Sequence, residues 1–206
     1  KNWIVDPKST NQVGGIVDSV SGTIPGYTIY DIRSATDFAA GNIKNATNVA
    51  LKDIITTVTN ASVAKDAKIL VVCYTGQTAG QAVMALRLLG WSKAVVLKWG
   101  MAGWNAAYKT PWVNNSGYED PAKGNLAATN TTNWVKTAAP AVGSFAEPVW
   151  TSTATDGASI LKERVQAVLN AGFSPADGAT VLANPATSPV INYWSQEDYL
   201  AFGHYL

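Results

Sequence analysis

The sequence predicts an α/β protein: a parallel sheet covered by helices on both faces, with a C-terminal helical extension and a terminal strand. Three observations carry this reading. Short β-branched or alternating apolar runs recur at residues 27–32, 46–51, 68–73 and 94–98. Helical patterns separate them, most clearly at 77–89, and strands alternating with helices build parallel sheets. A hydrophobic content of 47% in 206 residues is enough to fill a core of that kind.

The elements follow in order. Residues 1–26 are polar and broken by Gly14-Gly15, Gly22 and Pro25-Gly26, with a short helix expected at 11–20. Residues 27–32 alternate as a strand. Ser34, with Asp37 three residues on, is a capping-box-like start for a short helix at 35–40 that Gly41 closes. A second strand is expected at 46–51, then a helix at 53–59 despite the low helix propensity of its Ile and Thr residues. Residues 68–73 form a buried strand, and 77–89 a helix stopped by Gly90. A further strand at 94–98 leads into a turn and short helix at 100–108.

Residues 109–156 change character. They are rich in Asn, Thr, Ala, Pro and Gly and carry Trp112, Trp134 and Trp150. An extended linker pinned to a surface by its tryptophans is expected; disorder is the alternative, against which three tryptophans weigh. Ile160, Leu161, Val165, Val168 and Leu169 recur at helical spacing and predict a helix at 158–171. Ser174-Pro175 opens a second helix at 174–182, and 190–194 is expected as a final strand. That last segment belongs to an internal repeat: residues 29–41 align with 190–203, with Ser34/Ser195, Asp37/Asp198, Ala40/Ala201 and Gly41/Gly203 in register. The expected organisation is a first domain at 1–108 (core about 10–108), a linker at 109–156, and a helical segment with the start of a second unit at 157–206. The second copy stops before any equivalent of the loop at Cys73. An exposed terminal strand offers an edge through which two chains can pair, so a homodimer is a candidate assembly.

Composition excludes several functions. A net charge of +1 with 14% charged residues gives no footprint for nucleic acid or an anionic membrane. No apolar run approaches the 18 residues of a membrane span. A single cysteine excludes an internal disulfide, a Cys-rich metal site and a dithiol redox pair; neither metal nor cofactor is expected. The chain starts at Lys1, which predicts a removed leader or a start inside a longer chain. The low charge and abundant Asn, Thr, Ser and Ala point to an exported bacterial protein, periplasmic or lipid-anchored, with the cytoplasm as the alternative.

The most informative residue is that cysteine, Cys73. It sits where the apolar run Ile69-Leu70-Val71-Val72 ends and the loop Tyr74-Thr75-Gly76-Gln77-Thr78 turns into a helix. Ligands on parallel sheets bind at such carboxyl ends. A sulfur at a helix N-terminus faces unpaired N–H groups and the positive end of the helix dipole, which lowers the thiol pKa and favours a nucleophile. The competing reading is a buried structural cysteine.

Four segments in this order resemble the rhodanese family. Asp31-Ile32-Arg33 is similar to its Asp-Val-Arg signature and Gly41-Asn42-Ile43-Lys44-Asn45-Ala46 to Gly-His-Ile-Pro-Gly-Ala. Cys73-Tyr74-Thr75-Gly76-Gln77-Thr78 resembles the active-site loop, and Leu97-Lys98-Trp99-Gly100-Met101-Ala102-Gly103-Trp104 the closing Leu-x-Gly-Gly-x-x-x-Trp. The resemblance covers about residues 10–108. It departs at Asn42, at Lys44-Asn45, at Trp99 in place of the first glycine, and at Thr78 where many members carry Arg.

The resemblance implies a sulfurtransferase. Cys73 takes sulfane sulfur from a donor of the thiosulfate or mercaptopyruvate type, becomes a persulfide, and passes sulfur to a thiol or cyanide. Residues Tyr74, Thr75, Gly76, Gln77 and Thr78 would bind substrate, their N–H groups forming an anion nest and the Thr75 and Thr78 hydroxyls adding hydrogen bonds. The loop lacks a cation, which leaves the donor open. Asp31 and Arg33 are expected to be a structural pair, Trp99 and Trp104 to be core or pocket-rim residues rather than a ligand cage, and His204 to be structural. A cysteine phosphatase or arsenate reductase would need Arg where Ala79 stands. The alternative from another class is a non-catalytic sulfur carrier or protein-binding module.

Overall fold

A computed structural model describes residues 4–5, 24–116, 132–141, 143–144, 146–149, 151–188 and 190–205. The helix expected at 11–20 lies outside them. The chain divides into two compact units, one made of residues 1–112 and 152–173, the other of 113–151 and 174–206.

The first unit is a five-stranded parallel sheet in the order β1-β5-β4-β2-β3. Its strands are β1 (Ile4–Val5), β2 (Thr28–Asp31), β3 (Ala46–Asn48), β4 (Ile69–Val72) and β5 (Val95–Leu97). The helices are α1 (Ala35–Ala40), α2 (Ile54–Asn60), α3 (Gln77–Leu88) and α4 (Gly100–Trp104). The low propensity of Ile54-Ile55-Thr56-Thr57 is overridden because α2 buries Ile54, Ile55 and Val58.

β4 lies between β2 and β5 and is buried along its whole length. A strand covered on both faces reads as a continuous apolar run, which is why Ile69-Leu70-Val71-Val72 shows no alternation. Successive side chains still point to opposite faces. Tyr30, Ile69, Val71 and Val96 pack beneath α2, α3 and the helix Gly157–Ala171. Ile29, Leu70, Val72, Val95 and Leu97 pack on the other face with Ile24, Ile43 and Met101. Ala79, Ala82 and Ala85 let α3 sit close on the sheet.

The expected division at residue 157 is not the one the contacts draw. Gly157–Ala171 buries Val165 and Leu169 in the core of the first unit. Gln81 on α3 donates to the carbonyls of Val168 (2.9 Å) and Gly172 (3.1 Å), satisfying two C-terminal acceptors of that helix.

In the second unit the expected strand at 190–194 is absent. Ile191 and Tyr193 stand 75% and 90% exposed. A strand needs a partner for its backbone groups, and the short strand Trp134–Val135 pairs instead, antiparallel, with His204–Tyr205. The helix expected at 174–182 begins later, as Gly178–Ala183 capped by Asp177. Within the 109–156 segment the described residues include a helix, Thr110–Ser116, as well as strand Trp134–Val135. The two aligned segments share one local detail. Ser34 accepts from the Asp37 amide and Ser195 from the Asp198 amide, both at 3.1 Å, each capping a short helix. His204 is buried and stacked on Tyr199, ring centroids 3.5 Å apart. Among the described residues no helix is long and apolar enough to cross a membrane, and no group of acidic, His and Cys residues could hold a metal ion.

Asp31 and Arg33 form the structural pair expected. Both are buried, and Arg33 donates through Nη2 to Asp31 (2.7 Å) and to the Gly41 carbonyl (2.7 Å), and through Nε to Asp31 (3.0 Å). Asn48 Nδ2 donates to the carbonyls of Asp31 and Arg33, both at 2.9 Å. Removing the guanidinium leaves a buried carboxylate unpaired. Arg33→Leu is expected to cost about 3–5 kcal/mol, read as a lower urea midpoint; a loss below about 1 kcal/mol would place the pair with weak surface bridges.

Candidate functional site

The loop between β4 and α3 is built around one sulfur. Cys73 ends the central strand and is 2% exposed. The chain then curls so that the N–H groups of Gly76 and Ala79 donate to Sγ at 3.1 and 3.4 Å. Gly76 makes the curl possible: its φ of +91° lies in the left-handed region that side chains rarely adopt.

The sequence-derived site residues occupy this loop in different ways. Tyr74 is half-buried; its hydroxyl donates to the Asp37 carboxylate and accepts from the Ser34 amide at 3.3 Å. Thr75 is buried and its hydroxyl donates to Gln77 Oε1 at 3.2 Å, so it braces the loop. Gln77 is exposed at the start of α3. Thr78 contributes its backbone amide to the sulfur's surroundings.

The electrostatic balance at Cys73 differs from the expectation of a lowered thiol pKa. Burial pushes the thiol up, and the amides of Ala79, Thr75, Gly76 and Thr78 pull it back only in part, so the net direction is upward. The helix N-terminus supplies the donors, but the surrounding core removes more solvation than they restore.

Sequence reasoning missed what holds the loop from behind. Met101 N–H donates to the Cys73 carbonyl (2.8 Å) and Ala102 N–H to the Tyr74 carbonyl (3.2 Å). A Cβ at Gly100 would lie 2.3 Å from the Cys73 oxygen, so only glycine lets α4 come this close. The Gly100 of the closing signature carried that signal. Asp37 was also missed as a partner of Tyr74; hydrogen bonds from Ser34 and then Tyr74 hold its carboxyl below the usual carboxylate range. The Arg33 guanidinium lies 5.9 Å from the Tyr74 ring centroid and 5.6 Å from that of Tyr108.

Among the described residues, two cavities flank the loop. One, about 360 Å³, is lined by residues that include Thr75, Gly76, Gln77, Lys98, Trp99 and Trp112. Trp99 is at the rim, as expected, 50% exposed. The second, about 300 Å³, lies among Arg33, Asp37, Tyr74 and Tyr108.

The chain matches the family model described as rhodanese-like domain over residues 19–107. The second unit expected from the repeat lies outside that match. Among solved structures, the rhodanese-like domain of an Anabaena sp. protein is 30% identical with a TM-score of 0.36, covering 39% of this chain and 92% of that one. Another structure of the same Anabaena domain is covered over 62% of its length. A human single-domain sulfurtransferase is 21% identical, with a TM-score of 0.34, over 38% of this chain and 80% of that one. An NAD-dependent persulfide reductase from A. fulgidus is 23% identical, with a TM-score of 0.34, over 39% of this chain and 14% of that one. No curated protein matches the chain significantly. Residues 19–107 of this chain therefore belong to the rhodanese-like domain family.

Proposed function

We propose that the protein is a sulfurtransferase that carries sulfane sulfur on Cys73. The observation that supports this reading is the pair of amides, Gly76 and Ala79, donating to Sγ within a loop that presents further N–H groups to the same atom. Such an arrangement suits a negatively charged sulfur and does so without a metal.

The Cys73 thiolate attacks the outer sulfur of thiosulfate. The donor's S–S bond breaks, sulfite leaves with the electron pair, and a Cys73 persulfide anion remains. With 3-mercaptopyruvate the C–S bond breaks instead, and the pyruvate enolate takes up the thiol proton. Cyanide or an acceptor thiolate then attacks the outer sulfur and returns Cys73 as thiolate. The covalent intermediate divides one transfer into two displacements. In this reading Gly76 sets the loop's curl, Thr75 and Gln77 brace it, and Asp37 steadies Tyr74 at its first turn.

The non-catalytic alternative, a sulfur carrier or protein-binding module, is favoured by the same cysteine's burial and raised pKa, both of which slow attack. Intact-mass spectrometry after incubation with thiosulfate, and separately with 3-mercaptopyruvate, separates the two. Sulfur transfer predicts one added sulfur atom that cyanide removes and that Cys73→Ser abolishes while keeping the fold. No added sulfur on folded, reduced protein would leave the module reading.

The raised pKa sets the sign of the pH profile. A thiol shifted upward stays protonated over a wider range, so the thiolate fraction is still climbing at neutral pH. The rate of Cys73 alkylation by iodoacetamide is expected to rise about tenfold per pH unit up to and past the ordinary thiol value of about 8.5. Levelling off below about pH 7.5 would mean that the amides outweigh burial.

A further inference from the structure

Cys73 is 2% exposed, and it is not among the residues that line either cavity beside its loop. A reagent reaches Sγ only after some element at this end of the sheet moves. The neighbouring elements differ in how firmly they are held. β4, β5 and α3 are fixed by strand pairing and a buried core. α4 is tied to the loop by the two main-chain bonds from Met101 and Ala102. The stretch that follows, residues 106–112, contains no strand and no buried residue.

That stretch is one turn of 3₁₀ helix, Ala106–Tyr108, and the start of the helix Thr110–Ser116. Its first turn folds on itself: Tyr108 N–H donates to the Asn105 carbonyl (3.0 Å), Lys109 N–H to that of Ala106 (3.2 Å), and Ala107 N–H to Asn105 Oδ1 (2.9 Å). Ala107, Tyr108, Thr110 and Pro111 line the cavity that Tyr74 also lines. Trp112 lines the cavity shared by Thr75, Gly76 and Gln77. The stretch thus passes from one flank of the loop to the other. Aromatic anchors hold it at each flank. The Tyr108 ring centroid lies 5.6 Å from Arg33 Cζ, and its hydroxyl takes the space a Cβ on Gly41 would need. Trp112 meets Trp99, with ring centroids 4.7 Å apart and planes tilted by 58°. This second anchor is the weaker. Trp99 is 50% exposed and holds a φ of +60°, a left-handed backbone unfavourable to a bulky side chain.

We propose that residues 106–112 are a strap across the Cys73 loop, and that release of the Trp99–Trp112 contact lifts it and admits reactants to the sulfur. The proposal goes beyond the sulfur-transfer reading, because it concerns access to Cys73 whatever the sulfur then does. Segments without buried side chains open locally, well before the whole domain unfolds. When such opening precedes reaction, the observed rate is the intrinsic rate multiplied by the open fraction. Weakening an anchor of the closed state then raises the rate by the factor it adds to that fraction.

The test is the rate at which iodoacetamide alkylates Cys73 at one fixed pH, followed by intact mass. Trp112→Ala and Trp99→Gly remove the same contact from its two sides. Each is expected to react about three- to tenfold faster than wild type. Glycine suits the left-handed backbone at 99, so that variant is expected to fold. Because the contact is shared, the double variant should react no faster than the faster single one. Trp91→Phe is the control. It removes the indole's bond to the Val63 carbonyl (3.0 Å), at the other end of α3 from the loop, and lowers the urea midpoint without touching the strap. Its alkylation rate should stay within about twofold of wild type. Unchanged rates in both strap variants, effects that multiply in the double variant, or an equal acceleration in Trp91→Phe would each overturn the strap. Alkylation consumes no sulfur donor, so a strap that opens on a Cys73 that takes up no sulfur would overturn the sulfurtransferase reading alone.

Discussion

The geometry of the loop depends on two hydrogen bonds made behind it, from Met101 N–H to the Cys73 carbonyl and from Ala102 N–H to the Tyr74 carbonyl. A peptide unit is planar and trans, so fixing its carbonyl on one side turns its N–H to the other. The Tyr74 carbonyl is tied to α4, and the N–H of the same peptide, that of Thr75, is among those that act on the sulfur. The amide nest is therefore imposed from outside the loop. It requires the first turn of α4 to press against Cys73 and Tyr74, and the missing Cβ of Gly100 is what permits this approach.

That clamp in turn needs β4 and β5 to be fixed side by side, since one ends in the sulfur and the other leads into α4. Parallel pairing of Leu70 with Val95 and Val71 with Val96 sets their register. A core on each face holds the two strands against slippage. The buried Asp31–Arg33 pair closes the neighbouring strand end, with Arg33 also reaching the Gly41 carbonyl after α1. The site is thus carried on the rigid middle of the sheet, and the residues that brace it come from strand ends on either side of β4.

The sheet was legible because its signals are local. Residues 69–72 form an unbroken apolar run ending in Cys73, and Gly76 precedes a twelve-residue helix. The Ser34 cap and the Asp31–Arg33 spacing were equally readable. What escaped has physical reasons. The two-residue strands Ile4–Val5, Trp134–Val135 and His204–Tyr205 are too short to show any period. The apolar residues at 190–194 carry a strand pattern, but pairing depends on a neighbour that no local pattern specifies. The direction of the Cys73 pKa is set by tertiary burial, which outweighs a helix terminus that the sequence does reveal. Ala79 donates to the sulfur through its backbone, and an alanine side chain announces nothing of the kind. Trp99 was readable as a departure from glycine, though its partnership with Trp112 was not.

The Gly157–Ala171 helix has a consequence for how the chain assembles during synthesis. Val165 and Leu169 complete a core whose other members all lie before residue 97, and Gln81 waits on α3 for carbonyls at 168 and 172. At about 5–20 residues per second, the ribosome adds that helix several seconds after the sheet has emerged. Throughout that interval the outer face of α3 lacks its apolar cover. The nascent sheet is therefore a partner for whatever amphipathic helix or chaperone reaches it first, and the downstream segment secures the fold by arriving in competition with them.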